Sequence, residues 1–198
     1  MANINWIKKR RGLKNVVRFL ERVRNRGVLD CLEDYFKEGD RILDFGCGLG
    51  GVSEKLVSDG HDVVSLDVRD ISLTDVKPVI YDGKKIPFKD DSFDVVLVLT
   101  VLHHTPDPEK LLKEIRRVAG RVVVIEDVYD SWIGKYMTFF FDSLFNLEFS
   151  GHPHSNKSDK EWKKCFKRLG FSLVREDKKR SMVFFKHGIY FLEKGKKC

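Results

Sequence analysis

One stretch of the chain, residues 44–51, constrains the fold more than any other. Its sequence is Asp-Phe-Gly-Cys-Gly-Leu-Gly-Gly, and it joins a short apolar run at 41–45 to a helical pattern at 52–58. Glycines at a strand-to-helix turn let the backbone approach a ligand closely, and the first turn of the helix offers unpaired N–H groups. The stretch therefore predicts a strand, a ligand-binding loop and a helix, in that order.

The same alternation continues along the chain. Apolar runs predict four more strands, and residues 108–118 predict a helix that Asp107 caps. The four predicted strands cover residues 61–67, 78–81, 93–100 and 121–125. Nearly continuous apolar strands that alternate with helices are typical of a parallel sheet covered on both faces. The predicted fold class is α/β, with a doubly wound, mostly parallel sheet and helices on both faces.

The two ends of the chain add helices and closing strands. Apolar residues at three- and four-residue spacing predict an amphipathic helix at 13–23, and a second helix is predicted at about 28–36. Beyond residue 130 the sequence predicts an aromatic helix-like stretch, a polar loop and a basic helix, at 132–145, 151–158 and 159–169. Two closing strands follow at 171–176 and 189–193, and we expect an antiparallel closing strand among them.

Composition restricts the class of protein. A chain of 198 residues with 42% hydrophobic content suits one domain with a real core. The longest strongly apolar run, at 95–102, is far shorter than the ~20 residues that cross a bilayer. The charged amino terminus does not resemble a signal peptide, and the four scattered cysteines form no Cys-x-x-Cys pair. We expect reduced thiols and a cytoplasmic location.

The formal net charge of +7 is unevenly distributed along the chain. Residues 1–26 carry a net charge of +8 and residues 157–198 carry +9, whereas residues 27–156 carry −10. Two basic ends therefore flank an acidic middle. An anionic partner, if there is one, is expected to meet the ends.

The glycine-rich stretch is compatible with two kinds of ligand. Gly46, Gly48 and Gly51 satisfy the dinucleotide fingerprint Gly-x-Gly-x-x-Gly, with acidic Asp67 further along the chain. A carboxylate at Asp44 would repel a pyrophosphate but would suit a cationic amino group. We therefore expect an amino acid joined to a nucleoside, with the two oxygens of Asp67 accepting both ribose hydroxyls.

The order of these motifs resembles that of class I S-adenosylmethionine-dependent methyltransferases, in particular the small-molecule-type group. The pattern Asp-x-Gly-x-Gly-x-Gly is matched by Asp44, Gly46, Gly48 and Gly50. Further matches are Asp-Gly-Lys-Lys-Ile-Pro-Phe at 82–88, Ser-Phe-Asp at 92–94, and Leu-His-His after the fourth strand. The resemblance covers residues 39–128 well. It implies a Rossmann-like fold, S-adenosyl-L-methionine as cofactor and methyl transfer as the activity.

The resemblance also implies roles for individual residues. Asp82 would accept a hydrogen bond from the adenine amino group, with Gly83 beside the ring. Independently of the resemblance, we expect Cys47, a small residue inside the glycine loop, to pack under the cofactor. Thr100 and His103 would line the methionine and methyl end. The expected cofactor-binding set is Asp44, Gly46, Cys47, Gly48, Gly50, Asp67, Val68, Asp82, Gly83, Thr100 and His103.

On this resemblance the whole chain, residues 1–198, is expected to form a single methyltransferase domain. Its first part would be the basic amino-terminal helices at 1–38, followed by a cofactor-binding core at 39–128. Its last part, at 129–198, would hold substrate-side helices and the closing strands.

Methyl transfer from a sulfonium needs little covalent help from a protein. The methyl group is already activated, so proximity, orientation and the exclusion of water supply much of the catalysis. Candidate bases, if one is used, are His103, His104, Glu126 and Asp127. We favour His104 as the catalytic residue, and the alternative is that both histidines are structural. His152 and His154 lack a third ligand at recognisable spacing, so no metal site is predicted.

The sequence leaves the methyl acceptor open. A small molecule bound by the aromatic side chains at 132–145 is favoured, although these side chains are equally compatible with a core beneath a lid. RNA or an anionic membrane surface, meeting the basic ends, are alternative partners. Two rival functions are a nicotinamide-dependent (NAD) oxidoreductase and a noncatalytic S-adenosylmethionine-binding protein.

Overall fold

The computed structural model describes residues 4–128, 157–181 and 185–195. In these residues seven strands form one sheet, and each strand begins close to an apolar run of the sequence. The strands are β1 (Arg41–Phe45), β2 (Asp62–Asp67), β3 (Val79–Ile80), β4 (Phe93–Leu99), β5 (Ala119–Val128), β6 (Phe171–Ser181) and β7 (Phe185–Lys194). Their order across the sheet is β3-β2-β1-β4-β5-β7-β6.

Strands β1 to β5 pair with one another in parallel, and β7 is antiparallel to both β5 and β6. The predicted mostly parallel sheet with an antiparallel closing strand is therefore confirmed. The strand order reverses direction between β1 and β4. Ligands of open α/β sheets bind at such a reversal, beyond the carboxyl ends of the strands.

Within the described residues, two helices precede the first strand in the chain, and the other three lie between strands in sequence. They are α1 (Ile4–Lys9), α2 (Arg11–Leu32), α3 (Gly51–Ser58), α4 (Pro108–Val118) and α5 (Asp159–Arg168). Short 3-10 turns cover Glu33–Tyr35 and Leu102–His104. In the described part of the chain, no helix is long and apolar enough to cross a membrane.

The sheet separates two apolar cores. Alternate residues of β4 face opposite sides, so Val96 and Val98 join one cluster while Val95 and Leu97 join the other. The first cluster packs against α4 and α5, and the second against α3 and the end of α2. Burial on both faces explains why β4 is a nearly continuous apolar run instead of an alternating one.

The predicted boundaries differ most at the amino terminus. The sequence predicts two helices, at 13–23 and about 28–36, whereas α2 is one continuous helix of 22 residues. Gly27 lies inside this helix, where glycine costs about 1 kcal/mol relative to alanine, and Cys31 and Leu32 beyond it are buried against the sheet. Burial of the last turn therefore accounts for a helix that local propensity did not predict.

The closing strands are longer than predicted, because β6 and β7 pair along ten positions. The aromatic stretch at 132–145 and most of the polar loop at 151–158 lie outside the described residues. So do the side chains of His152 and His154.

Candidate active site

The loops that follow β1, β2 and β4 meet the carboxyl end of β5 at one edge of the sheet, because these strands are parallel. Phe45, the last residue of β1, is in register with Leu66 of β2 and Val98 of β4. Most of the candidate residues in the sequence follow one of these strand ends. The fold therefore brings together residues that are up to 80 positions apart in the chain, Gly46 and Glu126 among them.

The glycine loop after β1 is packed on two sides and open on a third. Gly46, Gly48 and Gly50 have positive φ values of 73°, 53° and 84°. A Cβ on Gly46 would lie 2.5 Å from a methyl carbon of Val101, and one on Gly50 would lie 2.6 Å from the hydroxyl of Thr74. A Cβ on Gly48 would meet only a backbone oxygen, at 3.9 Å. A ligand therefore has room to approach the backbone at Gly48.

Cys47 is buried within the glycine loop. The backbone N–H groups of Gly46 and Cys47 both donate to the carbonyl of Leu66, at 2.8 and 3.2 Å, which ties the loop to β2. Burial raises the pKa of the Cys47 thiol, and the carboxylate of Asp44 raises it further. The thiol therefore stays protonated and packs as a small apolar group.

Asp67 ends β2 beside the glycine loop. Its Oδ2 accepts a hydrogen bond from the Gly48 N–H at 2.9 Å, and its Oδ1 accepts from the N–H groups of Val68 and Arg69 at 2.7 and 3.3 Å. The side chain remains partly exposed. Since a carboxylate has about four acceptor positions, Asp67 keeps capacity for a ligand hydroxyl on Oδ2.

Asp44 lies deeper than the sequence suggested. Its side chain is 1% exposed, and its Oδ2 accepts a hydrogen bond from the Ser53 hydroxyl at 2.5 Å. Ser65 donates in turn to Ser53 at 2.7 Å. Burial raises the pKa of Asp44 to about 6, against the opposing effect of the Ser53 hydrogen bond. The Asp44 carboxylate therefore lies beneath the glycine loop and is hydrogen-bonded to Ser53 of α3.

Glu21 of α2 is a site residue that the sequence reasoning missed. Its Oε1 accepts a hydrogen bond from the Gly51 N–H at 3.3 Å, so a third carboxylate lies at the amino terminus of α3. Glu21 also raises the pKa of Asp44, after burial and the charge of Asp67. One signal was available: Glu21 is the single acidic residue among the nine cations of residues 1–26.

The loops after β2 and β3 meet beside Asp67. The side chain of Val68 is exposed, and a Cβ on Gly83 would lie 3.5 Å from its methyl carbon. Asp82 is exposed, and backbone N–H groups of Lys84 and Lys85 donate to it at 2.9 and 3.3 Å. These two hydrogen bonds lower the pKa of Asp82, so it carries a full negative charge at neutral pH.

The loop after β4 is held by a buried carboxylate. Glu126 is fully buried, and its Oε1 accepts hydrogen bonds from the N–H groups of Val101 and Leu102 at 2.9 and 2.6 Å. Its Oε2 lies 2.5 Å from Nδ1 of His103. Thr100 begins the loop with a φ of 56°, an uncommon conformation for a residue with a Cβ. Glu126 therefore holds the loop in place.

The two histidines after β4 have different environments. His103 is 4% exposed and contacts Glu126, whereas His104 is partly exposed. Their ring centroids are 4.0 Å apart, so the His103–Glu126 pair supports the position of His104. Asp127, the other candidate at the end of β5, lies 3.4 Å from Nε2 of His187 on β7.

Metal ligation has no support in the described residues. Within 4–128, 157–181 and 185–195, no group of three or more His, Cys, Asp or Glu side chains could hold a metal ion.

Comparison with known proteins identifies a related domain and two groups of relatives. Residues 43–122 match the family model of a methyltransferase domain. The chain is 32% identical over 164 residues to the sterol 24-C-methyltransferase of Schizosaccharomyces pombe, covering 71% of this chain and 42% of that protein. It is 33% identical over 116 residues to the demethylmenaquinone methyltransferase of Renibacterium salmoninarum, covering 54% of this chain and 48% of that protein. The chain thus spans about half the length of the curated relatives that it matches.

Solved structures share the fold. The S-adenosylmethionine-dependent methyltransferase of Methanosarcina mazei superposes with a TM-score of 0.66 at 18% identity, covering 84% of this chain and 98% of that chain. The magnesium protoporphyrin IX methyltransferase of Synechocystis, solved with bound S-adenosylhomocysteine, has a TM-score of 0.63 at 17% identity, with coverage of 93% and 88%. At these identities the likeness supports the fold alone.

Proposed function

We infer that this chain, which belongs to the class I S-adenosylmethionine-dependent methyltransferases, transfers the methyl group of S-adenosyl-L-methionine to a small-molecule acceptor. The observation that carries the inference is the charge of the site. The carboxylates of Asp44, Asp67 and Glu21 surround the glycine loop and the amino terminus of α3. A cationic sulfonium and amino group suit this arrangement, whereas a phosphate does not.

The residues present fit an adenosyl amino acid. The backbone at Gly48 is open to a ligand, and Asp67 beside it keeps an acceptor for a ribose hydroxyl. Exposed Val68 and Gly83 offer an apolar contact for the adenine ring, with Asp82 as an acceptor for its amino group. Gly46, Cys47, Gly50, Thr100 and His103 contribute by shaping the loops around this space, in the roles that the sequence resemblance implies.

When bound, S-adenosylmethionine supplies a methyl group that is already activated for in-line displacement. The chain's own residues then have three tasks: to orient the methyl group, to exclude water, and to take a proton from acceptors that lose one. We propose His104 for the proton, because its ring is partly exposed while its neighbour His103 is buried against Glu126.

The rival oxidoreductase has little support. A dinucleotide would place its pyrophosphate at the amino terminus of α3. There the Gly51 N–H already donates to Glu21, and a Cβ on Gly51 would lie 2.8 Å from the Glu21 carboxyl carbon. A carboxylate in the pyrophosphate position would oppose binding of NAD.

A small molecule remains the proposed acceptor. The matched relatives are named for sterol and demethylmenaquinone methylation, which supports a small acceptor of apolar character. RNA is less supported, because two cations of α2 are already paired within the protein. Arg18 and Arg22 pair with Glu54 of α3, at 2.6 and 3.3 Å. We also propose that residues 1–198 form one domain and that the protein is cytoplasmic.

A screen of acceptors tests this function. The protein is incubated with S-adenosylmethionine labelled in its methyl group and with fractions of a cell extract, and transfer of label to a small molecule is measured. We expect transfer with the wild type and its loss with Asp67→Ala, with Asp62→Ala as a matched control at the exposed start of β2. Transfer of label to RNA would show that the acceptor is RNA and not a small molecule. Cofactor binding without transfer to any fraction would favour the noncatalytic alternative.

A further inference from the structure

Helix α2 carries an apolar stripe on its outer face. Val16, Phe19, Leu20 and Val23 are spaced three and four residues apart, so they lie along one side of the helix. Their exposed fractions are 54%, 64%, 60% and 60%. Large apolar side chains that are exposed singly are common, but a contiguous row marks a surface that meets a partner or a membrane. These four residues are called the α2 stripe below.

The inner face of the same helix is already in use. Glu21 accepts a hydrogen bond from the Gly51 N–H, Arg18 pairs with Glu54, and Leu32 at the end of α2 is fully buried. These contacts fix the rotation of α2 about its axis. The stripe therefore faces outward because the opposite side of the helix is anchored to α3 and to the sheet.

Cations from both basic ends of the chain lie beside the stripe. Arg26 is three residues from Val23, so it borders the stripe on the helix surface. It is exposed. From the other end of the chain, exposed Lys179 of β6 donates to the carbonyl of Gly27 at 2.7 Å. Because a carbonyl is neutral, that bond leaves the positive charge of Lys179 uncancelled.

We propose that the α2 stripe, with its border of Arg26 and Lys179, docks the protein on an anionic lipid surface. A row of valine, leucine and phenylalanine beside cations matches an interfacial helix, whose apolar side chains enter the headgroup boundary while its cations contact lipid phosphates. The half-exposed Trp6 of α1 belongs to a residue type that is enriched at such interfaces. An anionic surface complements these cations, whereas an uncharged apolar partner would leave them unused.

The proposal places the site close to the lipid. Glu21, next to Leu20 in sequence, contacts the amino terminus of α3 at the glycine loop. A membrane that contacts the stripe would therefore contact α2, the helix that also contributes Glu21 to the site. The docking itself rests on the surface and is independent of the proposed methyl transfer.

Vesicle flotation tests the docking. The full chain is mixed with vesicles of phosphatidylcholine alone and with vesicles that contain equal parts of phosphatidylcholine and phosphatidylglycerol. We expect binding to the anionic vesicles, a decline as salt is raised, and little binding to the neutral ones. The double variant Phe19→Ser/Leu20→Ser is expected to weaken binding about tenfold or more. Lys179→Gln or Arg26→Gln is expected to weaken it about fivefold each.

Val174→Ser is the matched control, because Val174 is also exposed, at 56%, but lies on β6 away from the stripe. Thermal unfolding and calorimetric binding of S-adenosylhomocysteine are measured on every variant. A variant that unfolds normally and binds S-adenosylhomocysteine normally, but no longer floats with vesicles, supports a docking surface. The calorimetric binding also distinguishes a failure of the docking proposal from a failure of the proposed function. The proposal is overturned if wild-type protein ignores anionic vesicles, or if the stripe variants float as the wild type does. It is also overturned if the stripe instead mediates self-association in sedimentation or binding to RNA.

Discussion

Gly46 and Gly39 both have left-handed backbone conformations, with φ of 73° and 81°, yet their surroundings differ. A Cβ on Gly46 would collide with Val101, whereas nothing lies within 4 Å of a Cβ on Gly39. A side chain would thus be strained at both positions, but only at Gly46 would it also collide with a neighbour. The contact with Val101 joins the glycine loop to the loop after β4.

The two glycines form a matched pair for substitution. Gly39→Ala is expected to lower the free energy of unfolding by about 1–2 kcal/mol, through left-handed strain alone. Gly46→Ala should cost about 1–3 kcal/mol more, because Val101 must move. Urea unfolding measures both, and calorimetry should show weaker S-adenosylhomocysteine binding only for Gly46→Ala. Equal effects of the two substitutions would contradict the packing of Val101 on Gly46.

Asp44 makes stability depend on pH in a defined direction. Burial raises its pKa to about 6, whereas an unfolded aspartate titrates near 4. The folded state therefore retains a proton that the unfolded state has lost. The resulting contribution to stability is fully present below about pH 4, and it is lost as the pH rises through about 6.

The Asp44→Asn variant isolates this effect, because asparagine does not titrate. Relative to the variant, the wild type is expected to lose about 1 kcal/mol of unfolding free energy between about pH 5 and pH 7. Urea unfolding across this range supplies the comparison, with Asp62→Asn as an exposed control. A difference between wild type and Asp44→Asn that stays constant with pH would show that Asp44 titrates normally.

At the scale of elements, β5 controls the loop after β4. Each of these strands contributes to both cores, so their relative position is fixed, and Glu126 uses that fixed position to hold Val101 and Leu102. The loop in turn carries the two histidines. The candidate base His104 is thus positioned by a residue 22 places further along the chain.

Two substitutions at Glu126 test this control. Glu126→Ala removes the acceptor of two backbone N–H groups and of His103, and is expected to cost about 3–5 kcal/mol of unfolding free energy. Glu126→Gln keeps one acceptor oxygen and should cost clearly less. Urea unfolding gives both values, with Glu193→Ala as an exposed control on β7. An alanine variant as stable as the wild type would remove Glu126 from this role.

Local signals were sufficient for some elements and not for others. Helix α4 spans Pro108–Val118 as predicted, because Asp107 accepts a hydrogen bond from the Lys110 N–H at 2.9 Å and caps it. The continuity of α2 through Gly27 was not predictable, since it depends on burial of Leu32 against the sheet. The contacts Glu21–Gly51 and Glu126–Val101 join residues 30 and 25 positions apart. Contacts of this kind leave no local pattern, whereas the glycine loop and Asp67 do.

On the scale of the whole molecule, the charge pattern has two separate meanings. Part of the acidic middle gathers at the site, where Asp44 and Asp67 face a carboxylate from the basic amino terminus. The two basic ends meet elsewhere, where Lys179 of β6 contacts Gly27 of α2. The overall charge of +7 is therefore a poor guide to the ligand, and its distribution is a better one.

Calorimetric titration tests the central claim, that this site binds S-adenosylmethionine. S-adenosylhomocysteine and NAD are titrated separately into the wild type, and S-adenosylhomocysteine is titrated into Asp67→Ala and Asp62→Ala. We predict binding of S-adenosylhomocysteine and not of NAD, an affinity about tenfold or more weaker in Asp67→Ala through loss of charged hydrogen bonds, and an unchanged affinity in Asp62→Ala. Absence of S-adenosylhomocysteine binding, or binding of NAD in its place, would contradict the account.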